Sequence, residues 1–521
     1  MKKGIVPLLV FGVGVLLGTP AIVNASSSDI VPIGSPDIDA IASLQQHGTL
    51  VATFVSPNHL YTRGELADMV VPVLVNLQSG DPVVSDPVAS GYLRALALDL
   101  TLELQERGVD VSHALEILPT TTAFGGSVGV EARTGTKNGF DPLYRFNATG
   151  HVSSDIEASG TVSNYSIEQR RQFNDDVGHR NQPAISDLQI GIERASGFQL
   201  IVGREPLRWG PAYRGATLIS DNAPPLDMVK LSFPFSLGAH LGRTYRYTES
   251  LGTLTEDDTR KYLGLRRIEF IPNRHLTLEF DEAFKSSRLG SLLSAPLPFN
   301  VASLNFSKTL KGISVQSIDH HFNYVLNFGA TYAFDDVNRI YGQFLIDDLK
   351  SPFGSRDKVV PRKIAYLVGT TAKVGANGTA TIEYSFVDPT TFTYQNHEAE
   401  WTNGQYDYLG LPSGPNSREL YLRYDQPIGT KFEVIADARD RRRPSNSFPA
   451  PTAKAVGVTL DYLLNRNSTV GVRYQLYQQD PFPFAPGTVN YPVETFTPLD
   501  EGNPGARIRS HELDVTYRTG Y

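Results

Sequence analysis

An alternation of apolar and polar residues with a period of two runs through most of the chain from about residue 125 onward. In "ATIEYSF" (residues 380–386), Ala, Ile, Tyr and Phe alternate with Thr, Glu and Ser, and "LYLRY", "FEVIADARD" and "VGVRYQLY" repeat the pattern. A period of two places successive side chains on opposite faces of a β-strand. With their flanks, these runs approach the roughly ten residues with which a tilted strand crosses a bilayer. We therefore predict a large antiparallel sheet with one apolar and one polar face.

Two classes of β-protein contain such strands: soluble sandwiches or propellers, and closed membrane barrels. Charges of both signs on the polar face suit a wet lumen, and Tyr and Phe near the ends of the apolar face suit an aromatic girdle. The last run, "HELDVTYRTGY", alternates to its end and finishes in tyrosine, as a closing strand does. We count about 16 to 18 strands. We predict a mostly β fold, an even-numbered antiparallel transmembrane β-barrel over residues 119–521.

The N-terminal residues predict the destination of the chain. Two lysines precede an apolar run at residues 5–17, and a small-residue cleavage site ends at Ala25. This is the pattern of a secretory signal peptide, predicted over residues 1–25, and no later run has the roughly 18 apolar residues of a membrane helix. We therefore predict an exported protein of the cell outer membrane.

Composition excludes several classes of function. The chain has no cysteine, which rules out disulfides and thiolate zinc sites. Its net charge is -8 without a basic block, so we expect no nucleic-acid partner.

Residues 26–118 have helical rather than strand spacing, which predicts a small periplasmic helical bundle. One helix is predicted from Asp37, as its N-cap, to Gln46, and another over residues 65–77, opened by a capping box of Thr62 and Glu65. Pro72 is expected to kink or shorten that second helix. A third helix is predicted over residues 90–107.

One stretch, "GREPLRWGPAYRGATLISDNAPPLDMVKL" (residues 203–231), interrupts the period of two. A tryptophan face stacks on sugar rings, arginine bonds to acidic groups, and carboxylate or amide oxygens accept sugar hydroxyls. Alternatively, the charged residues pair among themselves and the segment folds inward as a lumen plug; the two interpretations are compatible. The candidate residues for polysaccharide binding or for a plug are Arg204, Glu205, Arg208, Trp209, Asp221, Asn222 and Asp227.

On this stretch, and on "YGQFLIDDLKSP" (residues 341–352), the chain resembles the Wzi-type capsule assembly proteins of bacterial outer membranes. The resemblance implies an 18-stranded outer-membrane barrel, preceded by a periplasmic helical bundle. It also implies a role in attaching or organising capsular polysaccharide at the cell surface, with that polysaccharide and outer-membrane lipid as partners.

A second resemblance covers "AIASLQQHGTL…YTRGELADMVVPVL" (residues 40–74), which looks like a degenerate S-layer homology module. The match lies in Thr62-Arg63-Gly64-Glu65, at the opening of the predicted helix. It implies that residues 29–118 bind peptidoglycan or another wall polymer. Only one copy is present where three usually cooperate, so a plain plug or assembly domain is the alternative.

Catalysis is not expected, and neither is a metal or another cofactor. The candidates Asp319-His320-His321, Asp335-Asp336 and Asp347-Asp348 consist of neighbours that diverge on a strand, and the two Asp pairs suit turns better.

Three functions follow. The first is a non-enzymatic barrel that anchors or assembles an exported polysaccharide. The second is a porin-like channel for small anionic or sugar solutes, and the third is a wall-tethered envelope-stability protein. Residues 388–416 and 479–507 are predicted surface loops, because longer loops of such barrels are extracellular.

Overall fold

The structure is a computed structural model, and it describes residues 31, 36–46, 49–50, 61–79, 86–134, 139–153, 156–163, 184–194, 196–220, 225–235, 244–256, 259–273, 275–287, 322–335, 337–347, 363–375, 377–392, 401, 408–442, 452–465, 468–479 and 508–520. The predicted signal peptide, the candidates Asp221 and Asn222, and the motif Asp319-His320-His321 lie outside the described residues.

In the described part of the N-terminal bundle there are five helices: α1 (Pro36–Gln46), α2 (Arg63–Gln78), α3 (Pro87–Asp99), α4 (Thr101–Glu106) and α5 (Val111–Ile117). Helix α1 begins at Pro36, so Asp37 lies in its first turn and is not its cap. The capping box at α2 is confirmed: the Glu65 amide donates to the Thr62 hydroxyl at 3.0 Å, and the Thr62 amide donates to the Glu65 carboxylate at 2.7 Å.

The helix predicted over residues 65–77 is confirmed as α2. Pro72 does not shorten it, because α2 continues to Gln78; Pro72 lies on its exposed side, while its apolar side packs in the bundle core. The single helix predicted over residues 90–107 is two helices, α3 and α4, which meet at Leu100. Leucines recur on both sides of Leu100 at the same spacing, so the sequence shows no break between the two helices.

Eighteen strands follow in the described part of the chain. They are β1 (Thr122–Thr134), β2 (Gly139–Ser153), β3 (Ile156–Ser163), β4 (Ala184–Glu193), β5 (Gln199–Glu205), β6 (Leu226–Phe235), β7 (Thr244–Glu256), β8 (Thr259–Asn273), β9 (Leu276–Ser286), β10 (Phe322–Ala333), β11 (Arg339–Ile346), β12 (Ile364–Val374), β13 (Gly378–Val387), β14 (Ser417–Ile428), β15 (Phe432–Arg442), β16 (Thr452–Asn465), β17 (Ser468–Gln479) and β18 (Ile508–Gly520). Each pairs antiparallel with its neighbours in sequence, and β18 pairs with β1. The predicted antiparallel barrel is confirmed, and no edge strand is left unpaired among these eighteen.

The alternation places polar residues inside and apolar residues outside. On β16, Thr459 and Asp461 are buried, whereas Val456 is 53% exposed and Val458 46% exposed. The other strands repeat this arrangement, so a wide apolar belt surrounds a polar lumen. A belt of this extent marks a surface that contacts lipid rather than water. Among the residues described, no helix combines the length and the apolar character needed to cross a membrane.

The two ends of the barrel differ. At one, the turn end, each connection between strands has eight residues or fewer; at the other, the loop end, six connections have 17 residues or more. The bundle packs at the turn end, where the Tyr92 hydroxyl donates to Asn147 of β2 at 3.0 Å. Gln199, the first residue of β5, donates to Asp99 at the end of α3 at 3.0 Å.

Candidate functional site

The connection from β5 to β6 starts at the loop end and folds back into the lumen. Residues 206–220, which we call the plug, are all buried. The plug closes on itself where the Trp209 amide donates to the Ile219 carbonyl at 3.1 Å. Glycine is required at two points, because Gly210 and Gly215 have φ of +152° and +149°. A Cβ at Gly215 would also lie 2.7 Å from the Pro412 ring.

Glu383 of β13 holds the centre of the plug. Its two carboxylate oxygens accept from the backbone amides of Tyr213, at 2.5 Å, and Arg214, at 2.8 Å. The Tyr341 hydroxyl of β11 donates to the same carboxylate at 2.5 Å. Hydrogen bonds that involve a charged partner are roughly twice as strong as neutral ones. One wall carboxylate therefore fixes two consecutive residues of the plug.

A buried ionic chain adds a second attachment. The Arg214 guanidinium donates to Glu419 of β14 at 2.7 Å, and Arg441 of β15 donates to the other oxygen of Glu419 at 2.9 Å. Glu419 is thus shared between the plug and the neighbouring strand. Because all three side chains are buried, removing one partner would leave a charge without water or compensation.

Gln343 of β11 is a third attachment, and it uses both ends of its amide. Its nitrogen donates to the Trp209 carbonyl at 2.9 Å, and its oxygen accepts from the Thr217 amide at 3.0 Å. The Thr217 hydroxyl donates to Asn327 of β10 at 2.7 Å. The plug is therefore bonded to strands β10, β11, β13 and β14 along one side of the lumen.

The aromatic residues of the plug contact guanidinium groups of the wall. Arg267 of β8 lies 5.6 Å from the Trp209 ring centre, while Arg339 and Arg423 lie 5.4 and 5.7 Å from that of Tyr213. Burial raises the pKa of the Tyr213 hydroxyl above its usual range, although Arg339 opposes this, so the phenol stays neutral. Trp209 is only 5% exposed and packs in an apolar cluster that the plug shares with the strands of the wall.

A second segment covers the plug from the loop end. We define the cover as residues 388–392, 401 and 408–416, most of which are buried. The Trp401 indole donates to the Leu218 carbonyl at 2.7 Å, and the Ser220 amide donates to the Leu409 carbonyl at 2.7 Å. The prediction of a surface loop at 388–416 is wrong for these residues, because they fold inward onto the plug. Of the other predicted loop, 479–507, Gln479 is the last residue of β17 and the rest lies outside the described residues.

Of the two Asp pairs that suited turns, Asp335 and Asp347 are described, whereas Asp336 and Asp348 lie outside the described residues. Asp335 accepts from the Val337 amide at 3.0 Å and the Asn338 amide at 2.7 Å, in the turn between β10 and β11. Asp347, directly after β11, accepts from the Phe392 amide at 2.6 Å and so ties the cover to the wall. In the described ranges, no group of three His, Cys, Asp or Glu residues is placed to hold a metal ion.

The candidate site residues named from the sequence do not all lie together in the structure. Arg208 and Trp209 lie in the plug, and Arg208 donates to the Ala212 carbonyl. Glu205 faces the lumen and accepts from Lys230 at 2.7 Å. Arg204 and Asp227 share the outward face with Val202 and pair with each other at 2.6 and 2.8 Å. The pairing expected within the segment therefore does not form between Arg204, Glu205 and Arg208.

A cavity of about 190 Å³ lies between the plug and the bundle. Trp209, Arg208 and Lys230 line it from the barrel, and Arg63 and Asp99 from the bundle. Arg63 bonds to Asp99 at 2.8 Å. Burial alone would raise the pKa of Asp99, but Arg63, Asp37 and Lys230 together outweigh it and hold that pKa well below its usual range.

Several residues of the site carry no local sequence signal. Glu383 and Glu419 lie in regular alternating strands, and Arg214 lies 205 positions before Glu419. Trp401 had a usable signal, because a tryptophan inside a Pro/Gly/Asn-rich segment seldom stays exposed.

A closed antiparallel barrel with an apolar outer belt, a polar lumen and long connections at one end defines the class: the protein is an outer-membrane β-barrel. The family model described as "Capsule assembly protein Wzi" matches residues 146–482. The chain belongs to this family, which confirms the family resemblance. The match begins after the bundle, so the S-layer-homology resemblance stays a prediction.

One solved structure supports the fold. Wzi of Escherichia coli, described as an outer membrane protein involved in group 1 capsule assembly and a carbohydrate-binding β-barrel, superposes with a TM-score of 0.51 at 12% identity, covering 94% of this chain and 99% of that one. OccK3 of Pseudomonas aeruginosa (TM-score 0.41, 12% identity, 77% and 95% covered) and OmpT of Vibrio cholerae (0.34, 8%, 77% and 97%) superpose too loosely to bear on function. No curated protein sequence matches the chain.

Proposed function

We propose that this chain is a non-enzymatic barrel that anchors or assembles capsular or another exported polysaccharide at the cell surface. The observation that carries the proposal is the plug, fixed by Glu383 and Glu419 inside a barrel of the Wzi family. A protein that passes solutes needs an open path, whereas a protein that holds a polymer needs a rigid support. The carbohydrate binding described for the Escherichia coli protein supports this choice.

The orientation of the barrel follows from the lengths of its connections. Outer-membrane barrels have short periplasmic turns and longer extracellular loops. The turn end, with the bundle of residues 26–118, then faces the periplasm, and the cover faces outward. The polysaccharide would meet the loop end above the cover.

In this proposal Trp209 and Arg208 are structural parts of the plug, and sugar contact is not their main role. Both are buried beneath the cover, with Trp209 against Arg267. Arg204 and Asp227 face away from the lumen and stabilise the strand ends. The polysaccharide therefore binds residues of the loop end other than these four.

The proposal is tested in cells that lack their own copy of the protein. Restoring this chain should move the host's surface polysaccharide from the medium to the cell, measured as the ratio of bound to shed polymer. Arg204→Ala is the matched control, and it should restore binding as the wild type does. An unchanged ratio with a folded, surface-located barrel contradicts the proposal.

A second measurement addresses catalysis. Incubation of the purified protein with the same polysaccharide should leave the distribution of chain lengths unchanged. A shortened or lengthened polymer contradicts a non-enzymatic role.

A further inference from the structure

Three cations lie together on the outward face of β14, β15 and β16, at the loop end. We call Arg418, Arg442 and Lys454 the rim patch; all three are exposed. They stand directly beyond the apolar belt, because Arg418 is two residues from Leu420, 41% exposed, and Lys454 two residues from Val456. The patch therefore lies where the hydrocarbon layer ends and lipid headgroups begin.

The register makes the patch electrostatically unfavourable by itself. Arg418 is directly opposite Arg442 on the neighbouring strand. Side chains in directly opposite positions start about 5 Å apart, and like charges there destabilise a sheet. The patch thus has a built-in repulsion that a bound anion would relieve.

One carboxylate partly compensates the three cations. Asp440 bonds to Arg442 at 2.7 Å and is in register with Lys454. Within the described residues, neither Arg418 nor Lys454 forms an ion pair. Three cations and one carboxylate leave an excess of two positive charges on a surface that faces lipid.

Arg418 also packs against an aromatic pair. Its guanidinium lies 5.5 Å from the Phe386 ring centre, and Phe386 stacks on Tyr366 at 5.1 Å. Aromatic side chains of membrane proteins concentrate at the level of the headgroups. The contact with Phe386 holds the guanidinium at that level.

A different arrangement is found elsewhere on the same rim. On β5 and β6, Arg204 and Asp227 face outward at the loop end and form a bidentate pair. That pair is complete and leaves no excess charge. The rim patch differs because its cations outnumber its only carboxylate.

We propose that the rim patch binds the phosphate group of a phosphorylated glycolipid in the outer leaflet of the membrane. Guanidinium groups match phosphate oxygens in a two-point geometry, and an ammonium adds a point charge. Phosphate bridges Arg418 and Arg442, and Lys454 contacts its far side. The lipid chains then lie along the apolar belt below, which fixes one side of the barrel to its surrounding lipid.

Native mass spectrometry of the full-length protein in detergent micelles tests this proposal. The probes are lipid A, the same lipid after removal of its phosphates, and inorganic phosphate. The wild type should retain lipid A, and the double variant Arg418→Ala/Lys454→Ala should bind it about tenfold more weakly for each cation removed. Arg418→Lys should lose less than Arg418→Ala, because it keeps the charge.

Arg204→Ala is the control, since it removes a rim arginine that already has a partner; it should bind lipid A as the wild type does. The heat-dependent shift in gel mobility checks that each barrel is folded. Equal retention by the double variant, or of the dephosphorylated lipid, overturns the proposal. Displacement of lipid A by inorganic phosphate at a similar concentration would also overturn it, because the site would then recognise free phosphate.

Discussion

The bundle and the plug both obstruct the barrel, but they are built differently. The bundle has its own apolar core, formed almost wholly by residues 31–118. It contacts the barrel through a few polar pairs and through small apolar contacts, such as Leu102 against Ile271. The plug has no core of its own: its apolar residues share a cluster with the strands and the cover. A bundle of this kind can fold alone and dock, whereas the plug acquires its shape only from the wall.

The largest expected effect comes from Glu383→Ala. This change leaves the Tyr213 and Arg214 amides and the Tyr341 hydroxyl without their acceptor, which costs about 3 kcal/mol or more. The plug should detach, and trypsin should then cleave after Arg214 in a barrel that keeps its folded gel mobility. The control Asp227→Asn should leave that site protected. Protection of Arg214 in Glu383→Ala would contradict the leading role of Glu383, because the wall bonds at Glu419 and Gln343 would then hold the plug without it.

A smaller loss of stability is expected when either of two glycines is replaced by alanine, and the loss should be larger in the plug than in the bundle. Gly215→Ala combines positive φ with a clash against Pro412, and should cost about 2 to 4 kcal/mol. Gly108→Ala in the bundle has positive φ but no atom within 4 Å, and should cost about 1 kcal/mol. Urea unfolding of both variants gives the comparison. Equal losses would show that the plug is no more tightly packed than the bundle surface.

The folded, docked bundle should resist mild acid. Burial raises the pKa of Asp99, but Arg63 and Asp37 of the bundle and Lys230 of the barrel together lower it, so this group stabilises the folded, docked bundle above its ordinary pKa, and the contribution disappears only as pH falls through the lowered value. Hydrogen exchange of α3 should therefore stay slow at about pH 4, where an unpaired Asp is half protonated. Asp99→Asn should lose about 1 kcal/mol at neutral pH and show no such dependence. Faster exchange of wild-type α3 at the pH where ordinary Asp titrates would contradict this account.

The smallest effect is expected at the outer rim. Arg204 and Asp227 are 38% and 56% exposed, so removing the pair by Arg204→Ala should change stability by less than about 1 kcal/mol. Urea unfolding checks this value. A larger loss would place the pair among the elements that hold the plug.

The fold could be predicted from the sequence because the alternation of apolar and polar residues is a local feature of each strand. The alternation around Glu383 and Glu419 identifies both the strands and their inward faces before any pairing is known. The same alternation puts Arg204 on the outward face of β5 together with Val202, although its closeness to Trp209 in the sequence suggested a shared site. Residues that are adjacent in a strand face opposite ways, and this rule is stronger than proximity in a motif.

The residues that bond to the plug could not be predicted from the sequence, because they lie far away in the chain. The Thr217 amide reaches Gln343, 126 positions later, and the Tyr213 amide reaches Glu383, 170 positions later. The surface prediction for 388–416 is wrong at its described residues for a related reason. The rule that long loops are extracellular considers only length. It takes no account of Phe392 and Trp401, whose burial requires the segment to turn inward.

Single-channel conductance in planar bilayers tests the central claim most directly: the plug is a fixed part of the barrel and not a gate that rests open. The wild type should show no steady large conductance, and Glu383→Ala/Glu419→Ala should show one, because both carboxylates that hold residues 213–214 are gone. A steady large conductance in the wild type would contradict the claim and favour a porin-like channel for small solutes.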